Sequence, residues 1–491
     1  MSTAKPAHIF DREREWQGLA AFVTDTTPGA TLGVVSGRRR HGKSFLLQAL
    51  ARETGGLYFA ATEATEAESL RLFADALLRH TRQPLEQPFR DWDDAVRHLF
   101  RQFRSAPVLV VLDEFPFLSR VSPALPSIIQ RELGPGGAGA NSSVRLVLCG
   151  SAMSVMGRIL SGRAPLRGRL SLELVVQPFR YIEAAAFWGI ADPYLAILVH
   201  SVVGGTPAYG RELARGGSPS SRDDFDAWVA RTVLNPQSPL FREARYLLAE
   251  ESDIREPAIY HSVLAAIASG NTTNGAIGGY TGRRSDELTH PLTVLEDSGL
   301  ITREPDLFRR GRANYRITEP LISFYEAVMR RYWPELELGL AEAVWRSAKA
   351  SFSTRVLCPH FEALCRLWAT FAGADLFGEV PGEIGHGVVN DPAERAQIEV
   401  DVAALAAASP TGPRRVLSLG DCKWGEVMGL RHLARLSRAR DLLAVKKYDT
   451  RSTAFVCYSA AGFDRGLRAA AKRDPGRVLL IGPEDLYNVG G

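Results

Sequence analysis

Apolar residues along this chain fall into two kinds of run. The first kind is short, unbroken and rich in Val, Leu and Ile, the pattern of strands buried on both faces. Such runs stand at Thr31–Ser36, Pro107–Leu112, Val144–Cys149 and Leu172–Val176, with a shorter one at Gly55–Ala60. The second kind has helical spacing: through Leu19, Phe22 and Val23, from Glu66 to His80, and from Asp91 to Arg104. Strands alternating with helices predict an α/β fold built on a parallel sheet.

Further along the pattern changes twice. Pro257 to Ala268 is amphipathic, a short helix is expected from Asn274 to Tyr280, and another ends near Ser298. Pro291 belongs in the first turn of that last helix, which places its start as late as Thr289. Leu300–Arg303 and Asn314–Ile317 then read as two strands around the basic turn Phe308-Arg309-Arg310-Gly311-Arg312. From Phe352 onward the pattern predicts a helix over Arg355–Phe371 and strands at Ala374–Val380, Gln397–Leu405 and Arg415–Gly420. A helix over Gly429–Lys446 and a strand at Thr453–Ser459 follow.

With 491 residues, three or four domains are expected, each able to bury its own core. Hydrophobic residues make up 45% and charged residues 23%, an ordinary globular balance. No apolar run reaches the length of a membrane span, and Met1 to His8 lacks an apolar signal core, so no membrane partner and a cytoplasmic location are expected. The five cysteines carry no zinc spacing and suit a reducing compartment. A net charge of +4 is too mild to argue for nucleic acid by itself; the placing of the arginines matters more.

Candidate chemistry begins at Gly37-Arg38-Arg39-Arg40-His41-Gly42-Lys43-Ser44, between the first strand and a helix opening at Phe45. Two glycines four residues apart, followed by Lys and Ser, match a phosphate-binding loop. Its backbone N–H groups and the positive end of the helix would cradle the phosphates of ATP. Lys43 would reach the outer phosphates and Ser44 would ligate Mg²⁺. The strand Pro107–Leu112 ends in Asp113 and Glu114, and parallel strands place ligands at their carboxyl ends. Asp113 is expected in the Mg²⁺ shell, and Glu114 as the group that orients or deprotonates the attacking water. Ser151, after the next strand, either senses the terminal phosphate or caps the following helix. Arg163, Arg167 and Arg169 form a basic cluster. Arg169 is the first choice for neutralising charge on the transferring phosphoryl group, against a solvated turn or ordinary salt bridges.

Together Asp11-Arg12-Glu13, the loop Gly37–Ser44, Leu112-Asp113-Glu114-Phe115 and Cys149-Gly150-Ser151 resemble the archaeal-type P-loop ATPase family, an AAA/STAND-like branch with an extra central strand. Pro165-Leu166-Arg167-Gly168-Arg169 and Gly204-Gly205-Thr206-Pro207-Ala208-Tyr209 are similar to two weaker boxes of that family, the second opening a helical lid. The resemblance implies a winged helix-turn-helix at the three helices and two strands that follow. Arg309, Arg310 and Arg312 would then meet DNA phosphates, or the module packs on the nucleotide site and reads no DNA.

The C-terminal order of helix, three strands, helix and strand resembles the restriction-endonuclease-like fold. Its metal site is similar to the set Glu362, Asp401, Asp421 and Lys423 found here. The carboxylates of Asp401 and Asp421 are hard oxygen ligands suited to Mg²⁺, and a lysine beside the metal activates water. The family's Glu-Cys-Lys-Trp is Asp421-Cys422-Lys423-Trp424 here, one methylene shorter. Glu399, on the strand face of Asp401, is a second ligand or an exposed charge. The expected division is an ATPase core over 1–190, a lid over 191–245, a winged helix over 246–335 and a nuclease-like domain over 336–491. Expected partners are nucleic acid, double-stranded DNA first, and a homo-oligomer of this chain. The expected function is a nucleotide-controlled, Mg²⁺-dependent nuclease; the alternative is a nucleotide-switched regulatory ATPase whose nuclease frame is inert.

Overall fold

The computed structural model describes residues 3–161, 164–214, 217–249, 256–408 and 412–488. Among these residues the strands form two five-stranded sheets and one two-stranded ribbon. The first sheet contains β1 (Thr31–Ser36), β2 (Leu57–Ala60), β3 (Val108–Asp113), β4 (Val144–Gly150) and β5 (Leu170–Val175). Its order is β2-β3-β4-β1-β5 with every pairing parallel. Strand β4 thus lies between the strand carrying the phosphate loop and the strand carrying Asp113. Alternation sorts the side chains: Val110 and Leu112 enter the core on one face, Leu109 and Val111 the core on the other. Each such side chain contributes roughly 1.5–3 kcal/mol by leaving water.

The ribbon joins β6 (Ile301–Pro305) to β7 (Ala313–Ile317), antiparallel, after helices Pro257–Ala268, Asn274–Thr281 and Thr289–Asp297. The second sheet holds β8 (Glu383–Asp391), β9 (Ala396–Leu405), β10 (Val416–Lys423), β11 (Ala454–Ser459) and β12 (Val478–Ile481), in the order β12-β11-β10-β9-β8. Its β8, β9 and β10 pair antiparallel, while β10, β11 and β12 pair parallel.

The strand expected at Ala374–Val380 is not there. Helix Cys358–Phe377 runs through its first half and stops at Gly378, whose φ of 73° gives the left-handed cap. The apolar residues Leu376 and Phe377 continue the helical face of Leu364 and Trp368 toward one core, and that packing overrides the local strand pattern. The strand that fills the place, β8, was hidden because Gly385, His386 and Gly387 interrupt its apolar alternation. Strand β12 and helix Pro483–Tyr487 also lie beyond the expected elements; the latter is tied down where Tyr181 Oη donates to the Leu486 carbonyl at 2.6 Å.

One hydrophobic core runs from Tyr181 through the helices of residues 193–249 and 257–297 to Val402, Cys422 and Leu486. The expected boundaries at 246 and 336 therefore cross a continuous interior. No single helix among the described residues is long and apolar enough to cross a membrane; the bent pair Tyr181–Trp188 and Pro193–Val203 contributes to this same core.

Candidate functional site

At the first site two glycines shape the loop. Gly37 has φ 145°, and a Cβ there would lie 2.5 Å from the Val176 carbonyl oxygen. Gly42 has φ 90° and is the N-cap of helix Lys43–Thr54, contributing no side chain to its first N–H groups. Those donors and the helix dipole face the loop. Lys43 is buried, and its Nζ donates across the loop to the Arg38 carbonyl at 2.9 Å. Burial pushes its pKa down. Burial, helped by Arg38 and Lys43, also holds the His41 pKa well below the usual value. The ring is therefore neutral, and the 3.1 Å contact of Nδ1 with the Val176 carbonyl requires the proton on Nδ1.

The acid pair sits where β3 ends. Asp113 is buried, accepts from the Glu114 N–H at 2.9 Å through Oδ1, and accepts the Tyr58 hydroxyl through Oδ2. Tyr58, whose hydroxyl meets Asp113, also lies beside Ser44, the other side chain expected to share Mg²⁺. Glu114 has φ 52°, a left-handed conformation rare outside glycine. Ser151 Oγ donates to its carboxylate, 3.1 Å from each oxygen. Ser151 thus holds the acid; it makes no side-chain cap to helix Met153–Leu160.

A cavity of about 570 Å³ opens on Lys43, Ser44, Glu114 and Ser151. Its far wall is aromatic: Phe10 meets Phe179 and Phe187 with ring centroids 5.4 and 5.3 Å apart. Two arginines line it that the sequence reading did not single out as site residues. Arg12 donates to the His41 carbonyl at 3.2 Å and the Gln177 carbonyl at 2.8 Å. Arg211 lies 4.9 Å over the Phe45 ring. The Gly-Gly-x-Pro-x-Tyr box just before Arg211 was the signal that could have found it. Arg169 is exposed and is not among the residues lining the cavity, because the turn Ala164–Arg169 points it outward. Arg163 lies outside the described residues. Within the loop, Arg39 lines the cavity, Arg38 pairs with Glu319 at 3.0 Å, and Arg40 pairs with Glu243.

The second site lies on the second sheet. Gly420 pairs with Val402, which sets Asp401 and Asp421 one step further along adjacent strands. Asp401 Oδ2 accepts from the Cys422 N–H at 2.8 Å. Asp421 is buried; its Oδ1 accepts from Lys423 Nζ at 2.7 Å, and its Oδ2 is buried without a hydrogen-bond partner. Burial, then Glu362 and Asp421, push the Asp401 carboxyl well above its usual range. Burial also raises Glu362, opposed by Arg366 and Lys423. Glu399 is exposed. Among the described residues no three His, Cys, Asp or Glu side chains group as a metal-holding cluster, so the expected set is assembled only as neighbouring, crowded carboxylates.

The basic turn of the ribbon is seated on β8. Leu307 and Phe308 are 9% and 8% exposed and belong to the core of the second sheet. Arg309 bonds to Asn390, while Arg310 and Arg312 are exposed. The tip thus packs on the second sheet and not on the nucleotide site.

No family model matches the chain. It is similar to an uncharacterized protein of Methanocaldococcus jannaschii, 26% identical over 296 residues that make up 60% of this chain and 62% of that protein. The match therefore spans less than two thirds of that relative's length. Among solved structures it is similar to a Walker-type ATPase of Pyrococcus abyssi, with 20% identity, 66% of this chain and 97% of that chain covered, and a TM-score of 0.46. It is also similar to the ORC2 protein of Aeropyrum pernix, with 16% identity, 71% and 98% covered, and a TM-score of 0.38.

Proposed function

We propose that this chain binds ATP with Mg²⁺ at Gly37–Ser44, hydrolyses it with Glu114, and uses the nucleotide state to govern a Mg²⁺-dependent nucleic-acid-cutting site at Glu362, Asp401, Asp421 and Lys423. One observation carries the reading: the glycine-shaped loop at a helix N-terminus and the Glu114–Ser151 pair open on one cavity. The aromatic wall of Phe10, Phe179 and Phe187 suits a flat base, and Lys43 and Arg39 suit phosphates. Ser44 and Asp113 would hold Mg²⁺, with Tyr58 beside both. Glu114, fixed by Ser151, takes the proton of the attacking water.

At the second sheet, the orphaned Asp421 Oδ2 and the raised carboxyl of Asp401 fit a divalent cation, because repulsion between crowded carboxylates falls when a cation joins them. Bound there, Mg²⁺ would supply charge stabilisation to a phosphodiester undergoing attack. Lys423 would orient the water. The units are an ATPase core over 1–190, a lid over 191–245, a winged helix over 246–335 and a nuclease-like unit over 336–491, with double-stranded DNA as substrate and a homo-oligomer as the working assembly. A second reading keeps the ATPase and makes the last unit an inert frame; the lack of a three-ligand group among the described residues favours it. Plasmid and linear DNA, incubated with the protein with and without ATP and Mg²⁺ or Mn²⁺, separate the two. Phosphate release with metal-dependent cutting supports the first reading. Phosphate release with intact DNA under every condition supports the second.

A further inference from the structure

We propose that the β6–β7 ribbon is a clamp that closes over the carboxylate site of the second sheet, and that Arg38 of the phosphate loop is its latch. The inference rests on the nucleotide reading above and names the part that transmits the nucleotide state.

The clamp is fastened at three places. At its tip, Leu307 and Phe308 bury against β8. The Leu307 N–H donates to the His386 carbonyl at 3.0 Å, and the Val388 N–H donates to Asp306 Oδ1 at 3.3 Å. Gly387 is required beneath it, since a Cβ there would lie 2.4 Å from the Phe308 ring. Midway along, Glu304 on β6 pairs with Arg316 at 2.6 Å and with Arg366 at 3.5 Å. Arg366 in turn donates to the Asp401 carbonyl at 2.9 Å and lies 3.8 Å from Glu362. One guanidinium therefore joins the ribbon to two members of the carboxylate site. At its base, just past β7, Glu319 pairs with Arg38 at 3.0 Å. A single cavity of about 780 Å³ is lined by Gly37 and Arg38 of the loop, Glu304 and Arg316 of the ribbon, and Glu362 and Asp401.

The latch has a physical trigger. Lys43 Nζ donates to the carbonyl of Arg38, the same residue whose side chain holds Glu319. A phosphate beside Lys43 competes for that ammonium with a charge-assisted bond stronger than the bond to a neutral carbonyl. Releasing the Arg38 carbonyl frees the loop segment that anchors the latch. Glu319 is buried and its Oε1 already lacks a partner, so its hold on the base of the ribbon depends on Arg38. Weakening that pair lowers the cost of lifting the ribbon from β8.

The test uses the full chain and hydrogen exchange read on peptides covering 301–312 and 384–392. Calorimetry with a non-hydrolysable ATP analogue and Mg²⁺ shows whether nucleotide is bound. Saturating analogue is expected to speed exchange in both peptides by about tenfold or more, the signature of a local opening. In the nucleotide-free protein, Phe308→Ala is expected to give the same faster exchange and tighter binding of Mn²⁺ at the second sheet. Analogue that binds while both peptides exchange at an unchanged rate overturns the clamp and leaves the nucleotide reading intact. No calorimetric binding overturns both. The wild-type comparison stands whether or not Phe308→Ala folds.

Discussion

The two acidic sites are built on the same plan and left in opposite electrostatic states. Each lies on a five-stranded sheet, the first at the end of β3 and the second where β9 and β10 run side by side, and each combines neighbouring carboxylates with a lysine. At the first, each acid already has donors: Tyr58 and a backbone N–H on Asp113, Ser151 on Glu114. At the second, Asp401 is raised by burial and then by Glu362 and Asp421, Glu362 is raised by burial against the pull of Arg366 and Lys423, and one oxygen of Asp421 has no partner. A site whose acids are held by the protein keeps its geometry through a turnover cycle. A site whose acids are short of partners is poised to gain free energy from a cation or a proton.

The largest way to break the comparison is at the lysines. Lys43→Ala is predicted to abolish measurable phosphate release, because Lys43 is the buried loop cation at the helix N-terminus that lines the cavity; release within tenfold of wild type would remove it from the site. Glu114→Gln keeps the size and the contact with Ser151 but cannot take a proton. Hydrolysis is predicted to fall by about 10²-fold or more while nucleotide affinity changes by less than about threefold. Equal losses of binding and turnover would instead mean that Glu114 shapes the pocket.

The sequence disclosed the first site more fully than the second, for a physical reason. A phosphate loop is contiguous: Gly37 to Ser44 are neighbours in the chain because a loop and a helix N-terminus build the site between them. The acids at the end of β3 are equally local. What stayed hidden there was long-range: Arg12 and Arg211 reach the cavity from segments far along the chain, and Arg169 turns outward. The second site draws on a helix and two strands, so only the fold brings Glu362, Asp401 and Asp421 near each other. Strand β8 was misplaced because its glycines, Gly385 facing Leu307 and Gly387 facing Phe308, erase the alternation that marks a strand. The seating of the ribbon was illegible for the same reason: its two apolar residues, Leu307 and Phe308, sit inside a polar, arginine-rich turn.

Metal binding sharpens the comparison at smaller scale. Asp421→Asn keeps the shape and an acceptor for Lys423 but removes the charge at the orphaned oxygen. Mn²⁺ affinity at the second sheet, read by nucleotide-free calorimetry in a chain whose first site lacks its metal ligands (Ser44→Ala with Asp113→Ala), is predicted to fall by about 10–100-fold. ATP turnover of Asp421→Asn in an otherwise wild-type chain is predicted to be unaltered. An unchanged Mn²⁺ isotherm would assign Asp421 to its bond with Lys423 alone.

The smallest predicted effect is on stability, and its sign distinguishes the two sites. Asp401 has a folded-state pKa raised above its unfolded value, first by burial and then by Glu362 and Asp421. The native state therefore holds that proton more tightly than the unfolded chain does. Below the ordinary carboxylate range both states are protonated and the group costs nothing. As pH rises through the folded pKa, the native state must accept a poorly solvated charge, and the stability contributed by the protonated form is lost. Asp401→Asn cannot ionise, and its amide oxygen can still accept from the Cys422 N–H. The variant is predicted to match wild type near about pH 4 and to melt higher by on the order of 2 °C near about pH 8, without added metal. Added Mn²⁺ is predicted to raise the wild-type midpoint at neutral pH and leave the variant unmoved, since the cation relieves the repulsion that the substitution has already removed. Asp113→Asn at the first site is predicted to show no such gain, because its carboxylate is already met by Tyr58 and a backbone N–H. A melting difference that is independent of pH would mean that Asp401 acts through packing, and the electrostatic contrast between the two sheets would fail.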